Sequence, residues 1–220
     1  MRILTVSDIH GSHKALERLE KLAKKADLII VTGDFTILSN HIELIMKRFN
    51  ALKKKVMIIT GNHENSNKVK LLCNKLTNLY FMNNKIFQIN NLLFYGYNTN
   101  GFSFRDMHFE RDSHKFVDAI KKAESKFRNT KPKSFLNKNF TNQSSKQLKT
   151  IFISHAPPFG TKADKIMDEH CGNKSVRDFC IKHDINYCFC GHIHEGAHTV
   201  DKLKNTIVVN PGPYGMIFEI

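Results

Sequence analysis

The sequence predicts an α/β sandwich, and three observations lead to this prediction. Short continuous runs of Leu, Ile and Val alternate along the chain with segments whose apolar residues recur at helical spacing. Such runs are typical of strands that are covered on both faces, as in parallel βαβ units. Short turns such as Asn90-Asn91 join other strands directly, so we expect part of the β-structure to be antiparallel.

The first elements follow a β-α-β order. Residues 2–7 predict a strand, and Ser12 is placed to cap a helix that continues to residue 26. A strand at 28–32, a helix at 41–55 and a strand at 56–60 repeat this pattern. Further strands are predicted at 85–89, 92–97, 150–154, 186–190, 206–210 and 216–220.

Length and composition favour a single domain spanning residues 1–220. A chain of 220 residues, 41% of them hydrophobic, buries roughly 70–75% of its unfolded surface and needs no disulfides. Its five cysteines are irregularly spaced, which is typical of a reducing compartment. No stretch approaches the ~18 apolar residues of a membrane span, and no secretory apolar region follows the N-terminus. We therefore expect a cytoplasmic protein without a membrane partner.

The net charge of +14 suggests an anionic partner without identifying it. Residues 114–149 form a Lys-rich insertion, with ten Lys or Arg against Asp118 and Glu124. Its first part, up to residue 127, is predicted to be a helix, and the rest reads as a loop. The segment could be a solvated insertion or a lid. Alternatively, its Lys residues and its aromatic residues could bind nucleic acid, the latter being Phe116, Phe127, Phe135 and Phe140.

Five polar clusters stand directly after predicted strands. In α/β proteins, ligands bind outside the carboxyl ends of the strands, so clusters that are distant in sequence can meet in one crevice. The clusters are Asp8-Ile9-His10-Gly11, Gly33-Asp34, Gly61-Asn62-His63-Glu64, Ser154-His155 and Gly191-His192-Ile193-His194.

The residue types in these clusters indicate a metal centre. Carboxylate, imidazole and amide donors suit divalent ions such as Mn, Fe, Zn and Ni, and no cysteine lies within the clusters. The donors are more numerous than one ion requires, so two ions that share a ligand are expected. Two divalent ions beside two carboxylates keep a positive charge that attracts phosphate. The sequence therefore predicts a metal-dependent hydrolase of phosphoesters.

The order DxH, GD, GNHE, a later His and GHxH resembles the calcineurin-like metallophosphoesterase superfamily. Residues 154–158 (SHAPP), 191–196 (GHIHEG) and 210–212 (NPG) are similar to a branch of small, stand-alone, largely prokaryotic phosphoesterases. The resemblance implies a four-layer α/β/β/α sandwich with two central mixed β-sheets. The Asp-Arg-Gly that follows GD in Ser/Thr protein phosphatases is missing, so protein phosphatase activity is not expected.

The resemblance also implies roles for individual residues. Asp8, His10 and His194 would hold the first metal, Asp34 would bridge, and the second metal would be held by Asn62, His155 and His192. His63 would stay unligated and face the phosphate as an acid or charge neutraliser, with Asn62 as a further substrate contact. Asp34 and His63 are thus the expected catalytic residues. The implied reaction is in-line attack by a metal-bridging hydroxide.

The substrate prediction is a small phosphodiester, preferred over a phosphomonoester, and the expected cofactors are two transition-metal ions with Mn first. A nuclease or nucleic-acid-binding enzyme is one alternative. A non-catalytic scaffold of the same fold is another, although that hypothesis predicts lost ligands. The oligomeric state stays open.

Three further groups allow two interpretations each. His192 and His194, at a spacing of two, would lie on one side of an extended segment as ligands should, or else they are surface histidines that alternate by accident. Cys188 and Cys190 share that alternation, but a buried strand explains them better than a thiolate site. His170 and Arg177 lie near the phosphate if the resemblance extends to them, or else belong to an ordinary helix start.

Overall fold

A computed structural model describes residues 1–99, 101–129 and 147–220; the side chains of 127–129 are not described. The first sheet has the strand order β13-β1-β2-β3-β4. Strands β1 to β4 are mutually parallel, and β13 pairs antiparallel with β1. The strands are β1 (Arg2–Val6), β2 (Leu28–Val31), β3 (Lys55–Ile58), β4 (Leu79–Phe81) and β13 (Met216–Glu219).

The second sheet has the order β11-β12-β10-β7-β6-β5. Its four central strands are parallel, and both edge strands pair antiparallel with their neighbours. The strands are β5 (Lys85–Ile89), β6 (Leu92–Tyr97), β7 (Lys149–Ser154), β10 (Tyr187–Phe189), β11 (Thr199–Leu203) and β12 (Thr206–Asn210). A two-stranded hairpin, β8 (Lys165–Ile166) with β9 (Glu169–His170), lies outside the sheets.

Three helices cover the outer face of each sheet. Alternation of side chains along the strands separates the cores: Leu4 and Val6 of β1 pack against α1 to α3, whereas Ile3 faces the second sheet. On the far side, Tyr95 and Phe152 pack against α4 to α6. The helices are α1 (His13–Ala23), α2 (Ile42–Ala51), α3 (Ser66–Lys75), α4 (Met107–Asp112), α5 (His114–Asn129) and α6 (Lys174–Lys182). The fold is thus the expected four-layer α/β/β/α sandwich.

Sequence patterning missed the weaker elements. Helix α3 buries only Val69 and Cys73, so its apolar periodicity is faint, although Asn65 caps it by accepting the Lys68 N–H at 3.0 Å. Strand β4 has three residues. The predicted helix at 41–55 ends earlier, at Ala51, because β3 begins at Lys55.

The Lys-rich insertion is in part an ordinary layer of the sandwich. Its predicted helix is α5, and Phe116 is fully buried with its ring stacked 4.9 Å from Tyr95. The expectation that Phe116 helps to stack bases is therefore wrong, because that ring belongs to the core. Phe135, Phe140 and the predicted loop through residue 146 lie outside the described residues, as does the side chain of Phe127.

Cys188 and Cys190 lie in the core on the outer side of the second sheet. Both are fully buried, as the strand interpretation predicts, and all five cysteines are free.

Across residues 1–99, 101–129 and 147–220, no helix combines the length and the hydropathy needed to span a bilayer.

The layer between the sheets is the expected main source of stability. Phe94 is fully buried there, so we expect Phe94→Ala to lower the free energy of unfolding by about 3–5 kcal/mol, through lost burial and the cavity left behind. Urea denaturation measures this change. Leu44→Ala on α2, where the side chain is 60% exposed, should change it by less than about 0.5 kcal/mol. Equal urea midpoints for the two variants would contradict the assigned core.

Candidate metal centre

The five polar clusters meet at one edge of the sandwich. They follow β1, β2 and β3 of the first sheet and β7 and β10 of the second, and within each sheet these strands run parallel. Within each sheet, backbone hydrogen bonds tie the clusters together: His10 N–H donates to the Asp34 carbonyl at 2.9 Å, and Gly191 N–H donates to the His155 carbonyl at 2.9 Å. Between the sheets, His192 N–H donates to the Asp8 carboxylate at 3.1 Å. The carboxyl ends of both sheets therefore meet at one crevice, as expected.

One group of possible ligands comprises Asp8, His10 and His194. The Nε2 atoms of His10 and His194 lie 3.1 Å apart, and His194 Nε2 lies 3.9 Å from Asp8 Oδ1. Burial lowers the pKa of His10 more than Asp34 and Asp8 raise it, which favours the neutral ring that a metal ligand must be. These three residues are the ones expected at the first metal.

A second group comprises Asp34, His155 and His192. His155 Nε2 lies 3.3 Å from Asp34 Oδ2, and Asn62 Nδ2 lies 3.0 Å from His192 Nδ1. Burial, followed by the neighbouring His155, lowers the pKa of His192 to about 4, so its ring is neutral at pH 7. The four residues expected around the second metal are thus brought together.

Asp34 also belongs to a third group, with His10 and His63. The imidazole of His63 lies with its centroid 4.9 Å from that of His10. Its Nδ1 accepts the Leu38 N–H at 3.3 Å, so in the neutral ring the proton sits on Nε2. His63 is therefore within reach of the cluster, although the family resemblance leaves it unligated.

The buried atoms of His155 test whether a cation fits here. Its Nδ1 lies 2.8 Å from the Thr32 carbonyl, which can only accept, so Nδ1 carries the proton and Nε2 of the neutral ring carries a lone pair. Among the described residues this fully buried Nε2 has no hydrogen-bond partner, yet it faces the Asp34 carboxylate. Two acceptors in contact need a proton or a metal ion between them. The donor set fits a divalent ion.

Without an ion, a proton takes the place between His155 and Asp34. Burial lowers the pKa of His155, but the hydrogen bond and the charge of Asp34 raise it by more. Burial raises the pKa of Asp34, but the protonated His155 and the His63 N–H, which donates at 2.9 Å, lower it by more, so the pKa of Asp34 lies well below its usual value. By contrast, burial raises the pKa of Asp8, because its other neighbours compensate only in part.

Several ligands sit on strained backbone. Asp8, His10, Asp34 and His192 all have positive φ angles, of 52°, 47°, 48° and 70°. Non-glycine residues rarely adopt this region, at a cost of roughly 1–2 kcal/mol each, and such strain concentrates at functional sites. Gly33, at φ 103°, precedes Asp34; a Cβ there would lie 2.6 Å from both His155 Nδ1 and Gly61 N. Only glycine allows the loops to approach so closely.

His192 and His194 do not form the expected extended pair. The left-handed φ of His192 turns the chain, and His194 begins a 3₁₀ turn, His194–Gly196. Consequently the two imidazoles belong to different ligand groups, and the expectation of one extended face is wrong.

His170 and Arg177 bind neighbouring protein groups. His170 Nδ1 lies 2.7 Å from Asp164 Oδ1, and Arg177 Nη1 donates to the Phe159 carbonyl at 2.7 Å. The buried Asp164 carboxylate also accepts backbone N–H groups from Gly160, Thr161 and Gly172. These contacts organise the loop after β7. The proximity of His170 and Arg177 to a phosphate stays a prediction.

Sequence reasoning did not identify the role of Glu64. Its buried carboxylate accepts the N–H groups of Asp34, Thr36 and Gly61 at 2.8–3.0 Å and the Thr36 hydroxyl at 2.7 Å. One side chain thereby fixes the loop after β2 to the loop after β3. The Glu of GNHE was the available signal, but its sequence pattern equally suits a helix cap.

Glu64→Gln tests this clamp. The amide brings a donor where Glu64 meets only donors, so we expect the free energy of unfolding to fall by about 2–3 kcal/mol and the metal content to fall with it. Denaturant titration and elemental analysis measure both effects. Glu43→Gln is the matched control, because its carboxylate is 61% exposed and 3.5 Å from Lys68. If the two variants behave alike, the clamp contributes nothing.

Comparison with known proteins agrees with this architecture. The sequence is 30% identical over 221 residues to an uncharacterized protein of Methanocaldococcus jannaschii, covering 97% of this chain and 88% of that protein. A structure from Thermus thermophilus superposes with a TM-score of 0.67 at 14% identity, covering 97% and 89% of the two chains. A dimetal phosphatase from Danio rerio superposes with a TM-score of 0.56 at 14% identity, covering 99% and 91%.

A further structural relative is the phosphopantetheinyl hydrolase of Mycobacterium tuberculosis, with a TM-score of 0.57 at 13% identity, covering 96% of this chain and 88% of that one. At such identities the structures establish the fold alone. The sequence model of the calcineurin-like phosphoesterase family matches residues 1–196, which contain every polar cluster of the crevice. The chain therefore belongs to the calcineurin-like phosphoesterase family.

Proposed function

We propose that this protein hydrolyses small phosphodiesters in preference to phosphomonoesters, with two divalent transition-metal ions, Mn first among them. The observation that supports this most directly is that Asp34 lies within ligand distance of His10 in one group of possible ligands and of His155 and His192 in another. Asp8, His10 and His194 would hold one ion, and Asn62, His155 and His192 the other. Asp34 would contact both.

Two such ions, when bound, would lower the pKa of a coordinated water towards ~7 and neutralise charge on the phosphate. The protein's part is to keep the donors in place and in the right protonation state. The low pKa of Asp34 keeps its carboxylate charged across the neutral range. His155 is oriented by Thr32, and His192 by a hydrogen bond with the Gly101 backbone.

His63 is the proposed general acid of the reaction. With Nδ1 occupied by the Leu38 N–H, Nε2 is the nitrogen left to face the substrate. As an imidazolium, the ring can donate its Nε2 proton to the departing ester oxygen and return to the neutral form, and its contact with His10 keeps it beside the first ligand group. Asn62, the preceding residue, is proposed to contact the substrate as well as the metal.

The preference for small substrates is supported by the size of the chain, and the preference for diesters by the resemblance to small, stand-alone phosphoesterases. The Thermus thermophilus relative is covered over 89% of its length, so a protein of similar size has the same architecture. The described residues contain no additional domain that would bind a protein substrate. All five cysteines are free, which supports our proposal of the cytoplasm as the compartment.

Metal analysis combined with a substrate screen tests the proposal. Protein purified without chelator should hold close to two transition-metal ions, and a metal-free form reconstituted with Mn should hydrolyse p-nitrophenyl diesters with higher kcat/KM than p-nitrophenyl phosphate. Fe, Zn and Ni are compared in parallel. A reconstituted protein that binds metal yet cleaves no ester would contradict the enzymatic role, and faster monoester cleavage would contradict the diester preference.

His63→Ala should separate catalysis from metal binding. We expect the variant to keep its metal content and to lose about 10²–10⁴-fold in kcat, since general acid catalysis typically contributes that much. Steady-state kinetics and elemental analysis measure the two effects. His13→Ala is the control, because the His13 side chain is 78% exposed on α1 and pairs only with Glu17. Normal turnover by His63→Ala would exclude the proposed acid.

A further inference from the structure

Phe102 is the exposed aromatic side chain that lies directly against the metal centre. It is 83% exposed, yet its ring contacts the His192 imidazole edge to face, with centroids 5.1 Å apart and planes at 87°. Single exposed apolar residues are common on protein surfaces. Phe102 differs from such residues because it lies against a candidate metal ligand, His192.

The chain around Phe102 is firmly anchored at both ends. On the N-terminal side, Thr99 Oγ1 lies 2.6 Å from Ser154 Oγ and accepts the Ala156 N–H at 3.0 Å. Gly101 lies so close to His192 that a Cβ at this position would come within 2.5 Å of the ring. The backbone is therefore held on top of His192, where a side chain at position 101 would not fit.

On the C-terminal side, the start of α6 holds the chain. The Asn173 side chain donates to the Ser103 carbonyl at 2.8 Å, and Lys174 N–H donates to the Phe104 carbonyl at 2.8 Å. The Phe104 ring packs on Phe159 at 5.3 Å, with the Lys174 ammonium 4.3 Å from the Phe104 centroid. Phe104 is thus engaged by the protein, whereas Phe102 keeps most of its surface in solvent.

His63 and His192 each lie near Asp34, and their positions suggest where the two ester groups of a diester would bind. His63 groups with His10 and Asp34, whereas His192 groups with His155 and Asp34. If His63 protonates the departing ester oxygen, the departing group lies on the side of His10. In an in-line displacement the ester group that remains on phosphorus lies off the axis of attack, and the side of His192 and its neighbour Phe102 is where we place it.

Resting on the proposed function, we infer that Phe102 binds an aromatic group on the non-departing ester oxygen of a phosphodiester, and so determines specificity for aryl or nucleoside diesters. An exposed ring face offers stacking that depends on a planar partner. The next residue, Ser103, lines a neighbouring cavity of about 450 Å³. A monoester has no group to place there.

Three substrates with one departing group test the inference. Bis(p-nitrophenyl) phosphate keeps an aryl group, methyl p-nitrophenyl phosphate keeps a methyl group, and p-nitrophenyl phosphate keeps none, while each releases p-nitrophenolate. Phe102→Ala should lower kcat/KM about tenfold for the bis-aryl ester, mainly through KM, because stacking contributes on the order of 1–1.5 kcal/mol. The other two substrates should change less than twofold.

Controls separate substrate binding from support of the metal site. Phe102→Tyr should retain the preference for the bis-aryl ester, and the metal content of both variants should equal that of the wild type. Leu71→Ala on α3, where the side chain is 61% exposed, should change none of the ratios. A nucleoside 5′-(p-nitrophenyl) phosphate distinguishes a nucleobase from a simple aryl group.

The possible results distinguish substrate binding by Phe102 from structural support of His192. An equal loss on all three substrates, or lower metal content, would show that Phe102 only supports His192 and would overturn the inference while leaving the proposed function intact. Unchanged kcat/KM for the bis-aryl ester would overturn it as well. A wild-type protein that cleaves neither diester would overturn the proposed function, and the inference with it.

Discussion

The buried carboxylate of Asp34 is the group on which the arrangement of the crevice depends. It accepts the His63 N–H, faces the lone-pair nitrogen of His155 and lies in two groups of possible ligands, one with His10 and His63 and one with His155 and His192. A carboxylate removed from water is unfavourable unless it is paired and hydrogen-bonded. The groups that stabilise the buried Asp34 carboxylate come from loops of both sheets, His63 from the first and His155 from the second. Moving Asp34 would therefore disturb loops of both sheets at once.

That placement requires backbone which an isolated loop would not adopt. Asp34 has a left-handed φ of 48° and follows a glycine that admits no side chain. Glu64 offsets the strain by accepting hydrogen bonds from both neighbouring loops. The surrounding cores hold the strand ends fixed, which lets the strained residues persist. Stability of the sandwich and geometry of the crevice are therefore linked through a few buried polar contacts.

Metal binding would add to this link. Because the expected ligands come from five separate loops, an unfolded chain cannot present them together, and the binding free energy becomes folding free energy. Asp8 and Asp34 are both buried, with few cationic side chains near them. A bound cation is the natural partner for these two charges, and its loss should loosen the loops before the sheets.

Of the thirteen strands in the described residues, the sequence predicted all but β4, β8, β9 and β11; it also predicted helices α1, α2 and α5 and the clustering of polar residues, because each has a local signal. Buried strands read as apolar runs, and strand ends in an α/β fold meet by topology. It could not predict that Glu64 joins two loops, since its four partners lie 3 to 30 residues away. Nor could spacing show that His192 turns into the left-handed region, because that conformation is set by the contact of His192 N–H with Asp8 across the two sheets.

The role proposed for Phe102 could not be predicted from the sequence either. In sequence it is one of 17 phenylalanines, and nothing in its neighbourhood marks it out. Its significance arises only when Thr99 and Asn173, far apart in the chain, fix the backbone over His192.

Net charge is a poor guide to the chemistry of this protein. The Lys-rich insertion carries much of the +14, and its described helix, α5, lies on the outer face of the second sheet, with Lys121 and Lys122 exposed. At physiological salt such surface charges are screened within about 8 Å, so they can steer an anion towards the protein but do not identify where it binds. The crevice itself is lined by carboxylates and imidazoles, and burial lowers the pKa of His10 and of His192. Bound metal ions would supply the positive charge for the proposed phosphate substrate, so ligand geometry is a better guide than composition to what the protein can bind.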